Sequence, residues 1–317
     1  MPGSSMPPSL DAILHRARSA APAIALVTDG RDWHARTLLK AFAGLGVRAR
    51  LVSLPECRFD SGTASGLHVP GFGGGLPDAV FVRTMSGGTF EAVTLRLGLL
   101  HALAARGVTV WNAAQAIERC VDKSTTSFLI AGAGLPTPST WACETREQAL
   151  EIVRREGGTF VLKPLFGSQG RGLRLVRSTD ELPPASEVAG VYYLQRFVAR
   201  DGDGFHDFRV LVSHGRVVAS MMRHSAHWIT NVKQGAKPLP AVADAAMRGL
   251  AVAATRAVGA DFAGVDIIYD ADNRPHVLEI NSMPAWSGLQ RVAPVDIAVT
   301  LAADLVAALE AKAERAS

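Results

Sequence analysis

Cysteine is scarce in this 317-residue chain. The three that occur, Cys57, Cys120 and Cys143, lie far apart and form no C-x-x-C pair. Their scarcity and spacing argue against a disulfide framework and against a structural zinc site built on cysteine pairs. No run of five Lys or Arg residues occurs, and the net charge is only +4 with a pI near 9.2. Charge therefore offers no nucleic-acid-binding face, although a local positive site for an anionic ligand stays open. No stretch approaches the roughly 18 apolar residues of a membrane span, and no repeat of fixed period is present. Convincing Ser–His–Asp or Cys–His signatures are missing, which disfavours a protein nucleophile. The first residues, M-P-G-S-S-M-P-P-S-L, lack a basic segment and an apolar core, so they read as a loose tail rather than a signal peptide. A cytoplasmic protein is expected. What is present, 48% hydrophobic and 20% charged residues, describes a folded globule large enough for two or three subdomains.

Short apolar runs alternate with helical patterns at the start. Ala23–Thr28, Arg48–Ser53, Ala79–Arg83 and Val108–Trp111 read as strands, and His34–Leu45 and Phe90–Arg106 as helices. That alternation implies an open α/β unit. Gly71–Gly75 reads as a loop. From about Asp122 the pattern becomes α+β. Helices are expected over Lys123–Ala133 and Arg146–Arg155, and strands over Phe160–Pro164, Leu173–Val176 and Val191–Val198. The last third reads as two hairpins. One turns at His214-Gly215, the other at D-A-D-N-R-P, with a helix over Ala241–Val258 between them and a packing helix over Val295–Ala313 at the end.

The chemistry-bearing residues fall in the later two thirds. Glu279 and Asn281 stand two apart on a strand and share a face. A hairpin can bring Asp266 to the same face. Two carboxylates and an amide are hard oxygen donors that suit Mg²⁺ shared with nucleotide phosphates. Taken alone, the pattern equally describes a solvated sheet face. The stretch Phe166–Gly172, F-G-S-Q-G-R-G, follows a strand and precedes another. It is neither a Walker loop nor a dinucleotide fingerprint, and it fits a flap whose backbone approaches phosphate, or a plain hairpin turn. Lys123 and Lys163 are point charges suited to phosphates, and Arg209 and Arg223 suit bidentate contacts. Asp207 and Arg209, two apart on one strand, share a face. The connector S-A-H-W-I-T-N-V-K-Q-G-A is long and polar, as functional loops often are.

In order, D-K, V-L-K-P, the glycine flap, L-Q-R-F-V, D-F-R, M-M-R, T-N-x-x-x-G, G-V-D and E-I-N-S-M-P resemble the ATP-grasp superfamily. The wording is most similar to the RimK-type α-L-glutamate ligases, in particular those that extend cofactors of the tetrahydromethanopterin type, with glutathione synthetase a more distant relative. The resemblance implies an α/β and α+β fold of three subdomains after a flexible tail over residues 1–20. These are an N-terminal open α/β unit (21–118), a central lid (119–198) and a C-terminal antiparallel-sheet domain (199–317). It also implies roles. Lys123 and Lys163 meet the ATP phosphates, and Gly167, Ser168, Gln169, Gly170 and Gly172 cover them. Gln195, Arg196, Phe197 and Val198 read adenine through their backbone. Arg209 joins the nucleotide contacts. Asp266, Glu279 and Asn281 ligate Mg²⁺, two ions with Mn²⁺ as a substitute. Arg223, with Lys163, acts at the γ-phosphate and acyl group. Asn231, Gly235, Trp286 and Gly288 shape the acceptor side, where Trp286 either stacks on a planar ligand or packs internally.

The implied reaction is ADP-forming amide synthesis through an acyl phosphate. The partners are a small-molecule carboxylate and an amino acid, L-glutamate. No nucleic acid and no membrane are expected, and a homo-oligomer is compatible with this reading. Glutamylation of a protein C-terminus and a non-catalytic ATP-binding regulator are the alternatives.

Overall fold

The computed structural model describes residues 21–167, 170–199 and 204–316. The expected tail, and Ser168 and Gln169 of the flap, lie outside the described residues.

The first unit is a parallel sheet covered on both faces. Its elements are β1 (Ala23–Val27), α1 (Trp33–Gly44), β2 (Arg48–Val52), the short strands β3 (Arg58–Phe59) and β4 (Leu67–His68), β5 (Ala79–Val82), α2 (Phe90–Ala105) and β6 (Thr109–Trp111). The order is β2-β1-β5-β6, and all neighbours are parallel. Asp32 and Thr89 cap α1 and α2 by accepting from Ala35 N and Ala92 N. Residues of β1 alternate between two apolar layers. Ile24 and Leu26 face α1, while Ala25 and Val27 pack with Leu99, Leu100 and Leu103 of α2.

A helical pair, α3 (Ala114–Val121) and α4 (Lys123–Gly132), leads into the second unit. Sequence reading missed α3, a helix of 8 residues whose N-cap, Ala113, makes no side-chain capping bond. β7 (Thr140–Cys143), β8 (Phe160–Lys163), β9 (Arg174–Val176) and β10 (Tyr192–Arg196) form an antiparallel sheet in the order β7-β10-β8-β9, with α5 (Arg146–Glu156) between β7 and β8 in the chain. Ala149 and Val153 of α5 bury one face of it.

The third unit is a five-stranded antiparallel sheet, β13-β12-β11-β14-β15. Its strands are β11 (Phe205–Ser213), β12 (Arg216–Ser225), β13 (Lys237–Pro240), β14 (Phe262–Tyr269) and β15 (Pro275–Asn281). The first hairpin turns through positive φ at His214 and Gly215, as a two-residue hairpin turn requires. The helix expected from Ala241 is α6 (Ala245–Val258), which starts only after Asp244 caps it. The segment before it pairs with β12 as edge strand β13, where Pro238 and Pro240 are tolerated. α7 (Ser287–Gln290) and α8 (Ile297–Ala316) complete the chain. Ile297, Leu301 and Leu305 of α8 share a core with α1 and the first sheet, so the last helix is a packing helix as expected. Among the described residues, no helix is long and apolar enough to cross a membrane.

One buried side chain joins the first unit to the third. Asn112, fully buried, donates to Phe262 O and Ser282 O, each at 2.7 Å, and accepts from Asp261 N at 2.5 Å and Phe262 N at 3.0 Å. It clamps the start of β14 to the end of β15. Asn112→Ala leaves several buried backbone groups unpaired, at about 1–3 kcal/mol each. We expect a clear drop in the urea and thermal midpoints, followed by circular dichroism.

Candidate functional site

Strand alternation gives the third sheet two unlike faces. Val210, Val212, Val265, Ile267 and Ile280 pack under α6. Asp207, Arg209, Asp266, Glu279 and Asn281 face the other way. Register then decides the partners, because Asp207 lies opposite Arg223, Arg209 opposite Asp266, Asp266 opposite Glu279, and Asn281 opposite Gly264. Arg223 donates through Nε to Asp207 Oδ1 at 2.7 Å, through Nη2 to Asp207 Oδ2, and contacts Asp266 Oδ2 at 2.9 Å. Arg209 holds Asp266 in a fork, Nε to Oδ1 and Nη2 to Oδ2, both at 2.7 Å. The row Asp207–Arg223–Asp266–Arg209 thus alternates in sign. Burial pushes the Asp266 carboxyl up, but Arg209 and Arg223 more than reverse this and hold it below the ordinary range. Burial wins at Asp207, which stays raised although Arg223 pulls it down.

This corrects the expectation for Arg209. It braces Asp266 and is not among the residues that line the cleft described below. Arg223 does line the cleft, with Nε and Nη2 committed to carboxylates.

β15 reaches this face through a bulge. Pairing shifts between Asp266 and Ile267, so Glu279 opposes Asp266 while Val277 opposes Ile267. Leu278 is the extra residue, and both Leu278 and Glu279 turn to the cleft. Gly264 makes room for the turn that follows, since a Cβ there would lie 2.9 Å from Pro284 Cβ. Among the described residues, no three His, Cys, Asp or Glu side chains are grouped to hold a metal. Asp266, Glu279 and Asn281 supply two carboxylates and an amide, which suits a hard cation that takes its remaining ligands from phosphates. A carboxylate offers about four acceptor sites, and the arginine contacts leave about one open on Asp266. The Glu279 carboxylate and Asn281 Oδ1 have no hydrogen-bond or ion-pair partner among the described residues. Unspent polar capacity therefore converges where the donor set was expected, and the residues fit the ion.

Both lysines are buried beside Glu279. Asp122 accepts from Ser124 N at 2.8 Å and Thr125 N at 3.3 Å, which fixes Lys123 in the first turn of α4. Lys123 Nζ donates to Gly167 O at 2.9 Å and Leu165 O at 3.3 Å, so it grips the base of the flap. Lys163 ends β8. Burial lowers the pKa of each, and Glu279 partly restores it. Beyond β8 the flap folds onto the connector. Gly170, at φ +70°, would set a Cβ 2.4 Å from Asn231 Oδ1 and 2.8 Å from Ile229 Cγ2.

Between the second and third sheets lies a cleft that opens to solvent. Val161 and Leu173 line it from the lid, Ile268 and Leu278 from the third sheet. Phe197 and Trp228 meet edge-on at 6.4 Å along it. Its polar lining holds Lys163, Asp207, Arg223, Asp266 and Glu279. The linker Gln195–Val198 lines the cleft, yet two of its amides are already used, Arg196 N by Ser139 O at 2.8 Å and Phe197 N by Thr159 O at 2.9 Å. The Arg196 guanidinium turns into the lid, bonding Gly157 O and stacking over Phe160 at 4.5 Å. Gln195 is buried, and its Nε2 has no partner among the described residues. Trp228, Ile268, Leu278 and Asp207 were not singled out as site residues from sequence. Only Asp207, two before Arg209, and Trp228, in the long connector, carried a signal.

On the acceptor side, Asn231 precedes a short turn, Val232–Gln234, closed by Gly235 at φ +99°. Gly288 packs there too, since a Cβ on it would lie 3.6 Å from Val232. Trp286 needs correction as a ligand-stacking residue. The residue is 1% exposed, and its ring packs edge-on to His34 at 4.7 Å and lies under the Arg83 guanidinium at 5.1 Å. No face of the ring is left for a ligand.

The model of the RimK-like ATP-grasp domain matches residues 120–305. The tetrahydromethanopterin:alpha-L-glutamate ligase of Methanococcus maripaludis is 38% identical over 200 residues, 61% of this chain and 68% of that protein. Its namesake from Methanosarcina acetivorans is 30% identical over 301 residues, 83% of this chain and 92% of that one. Among solved structures, the ATP-grasp ligase PsnB complexed with minimal precursor, Mg and ADP superposes with a TM-score of 0.69. It covers 90% of this chain and 98% of its own at 22% identity, a likeness of fold. The chain has the ATP-grasp fold and belongs to the RimK-like ATP-grasp family of ATP-dependent ligases.

Proposed function

We propose that the protein joins the amine of L-glutamate to a carboxylate of a small cofactor of the tetrahydromethanopterin type, at the expense of ATP. One observation carries the reading. An apolar cleft fit for a base holds two buried cations and an unspent carboxylate in its lining, with a glycine flap folded across the neighbouring loop. The relatives' names support the choice of substrates.

In this reading the base lies between Val161, Leu173, Ile268 and Leu278, and the linker and Gln195 meet its edge. Lys123, Lys163 and Arg223 face the phosphates. An acceptor carboxylate oxygen attacks the γ-phosphorus, the bond to the β-phosphate oxygen breaks, and ADP leaves. The amine then attacks the acyl carbon, phosphate departs, and the amine loses its proton. The first step brings two anions together. Fixed cations that need no reorganisation offset that repulsion in a water-poor site. Asp266, Glu279 and Asn281 would hold Mg²⁺, two ions with Mn²⁺ as a substitute, which neutralises phosphate charge when bound. Arg209 and Arg223 keep Asp266 ionised for that task. Phosphate binding also favours the charged forms of Lys123 and Lys163, whose pKa values burial has lowered. The flap keeps water from the acyl phosphate. The units 21–118, 119–198 and 199–317 act as the substrate-side wall, the lid and the catalytic sheet.

The direct test incubates the protein with MgATP, L-glutamate and tetrahydropterin carboxylates. ADP release should require both substrates, and the product should carry an added glutamyl group by mass spectrometry. Bound ATP with no ADP from any pairing would favour a non-catalytic regulator. Glu279→Gln should lower kcat by about 100-fold or more while the circular dichroism spectrum is retained, and full activity would remove Glu279 from the site. Gly170→Ala, strained at positive φ and overlapping Asn231, should lower kcat in the same assay with little change in thermal midpoint.

A further inference from the structure

The first sheet has a switch point that the reaction above does not use. From β1 the chain steps outward to β2, and from β5 it steps the other way to β6. Open α/β sheets place ligands in the crevice outside the carboxyl ends of the two strands at such a reversal. Here those ends carry Thr28 and Asp29 after β1, and Arg83, Thr84 and Ser86 after β5. The two loops are tied together, Asp29 N donating to Thr84 Oγ1 at 2.9 Å and Thr84 N to Val27 O at 3.3 Å.

Arg83 is out of place there as a structural residue. The residue is 4% exposed, and its Nε is buried with no partner among the described residues. Nη1 donates to Met283 O at 3.3 Å, and the guanidinium lies over Trp286. No carboxylate among the described residues comes within ion-pair distance of it. Both nearby acids are committed elsewhere. Asp29 accepts from Ser86 Oγ, while Asp32 caps α1 through Ala35 N and holds His34 Nδ1 at 3.0 Å. A buried cation without a counter-ion is strongly unfavourable. Burial lowers the Arg83 pKa, and Asp32 and Asp29 offset this only in part.

A second cation approaches from the other unit. Lys233, on the exposed turn after Asn231, directly follows Val232, which packs against the apolar cluster that holds Trp286, and its charge bears on His34, as does that of Arg83. Met283 and Trp286 follow directly on the strand that ends at Asn281, so the crevice adjoins the end of the proposed metal set. We propose that this crevice seats a carboxylate of the amino-acid substrate, with Arg83 as its main binding cation and Lys233 closing it from the opposite unit. The inference rests on the ligation reading above. An enclosed guanidinium suits a small ligand, and the attacking amino acid is the smaller partner. Anchoring its carboxylate on Arg83 also keeps that charge away from the γ-phosphate while its amine faces the acyl carbon.

The test uses the full chain with Arg83→Met, Arg83→Lys and Lys233→Ala. L-glutamate is titrated calorimetrically in the presence of Mg²⁺ and a non-hydrolysable ATP analogue, and the KM of each substrate is measured in the ligation assay. Arg83→Met should weaken L-glutamate by about 10- to 100-fold, Arg83→Lys less, and Lys233→Ala by several-fold, with nucleotide affinity unchanged within about twofold. Lys233→Ala keeps the test open if Arg83→Met fails to fold. Unchanged L-glutamate affinity overturns the proposal, as does no L-glutamate binding by the unmodified chain. Parallel weakening of nucleotide and L-glutamate with a lower thermal midpoint shows a strut and also overturns it. A rise in the acceptor KM alone assigns the crevice to the other substrate. Binding that depends on Arg83 without any product would sink the ligation reading and leave the site standing.

Discussion

The buried row of alternating charge on the third sheet is the constraint on which the site depends. Asp207, Arg223, Asp266 and Arg209 come from three adjacent strands, and each guanidinium is shared or forked onto a carboxylate. Such a row is weak evidence for stability, because desolvation consumes most of the Coulombic gain. Its value lies in specifying register. A one-residue slip of any of the strands would send its charge into the apolar layer under α6. The pairing that satisfies the charges also sets Glu279 opposite Asp266 and Asn281 opposite Gly264.

Around that row the protein holds charge that it does not fully neutralise internally. Glu279, Lys123 and Lys163 influence one another electrostatically in buried surroundings, and burial lowers both lysines. Over the Trp286 ring, Arg83 is buried with no counter-ion among the described residues. Preorganised groups of this kind are costly in the free protein and useful to a phosphoanhydride or carboxylate ligand, which meets donors already in place. The same economy explains the glycines. Gly170 and Gly264 lie where backbone or loop must approach closer than a Cβ would permit.

Much of the architecture was legible in the linear pattern. The apolar runs from Ala23 and Ala79, the two hairpins and the packing stripe of α8 follow from periodicity and turn chemistry, and each is found in place. The ordered motifs also placed Lys163, Arg223, Glu279 and the linker near one cleft. Departures arose where a local pattern is silent about its partner. Pro238 and Pro240 hid an edge strand, and α3 offered neither length nor cap. The bulge that turns Leu278 into the cleft breaks the alternation on which strand reading rests. Arg196 sits in the segment expected to meet adenine, yet its guanidinium finds carbonyls and an aromatic face inside the lid.

By itself the sequence determined which residues can bear charge, where strands and turns fall, and that hard oxygen donors recur at Asp266, Glu279 and Asn281. Local spacing fixes these, since side-chain direction in a strand repeats every second residue. Only the tertiary structure decided which charges neutralise one another and which remain available. Arg209 went to Asp266, Trp286 to the core beside His34, and Arg83 to a buried position with no counter-ion among the described residues. Those outcomes depend on contacts between residues far apart in the chain, as between Asn112 and Ser282 or Arg83 and Met283. Strand order and burial set such distances, and no window of sequence contains them.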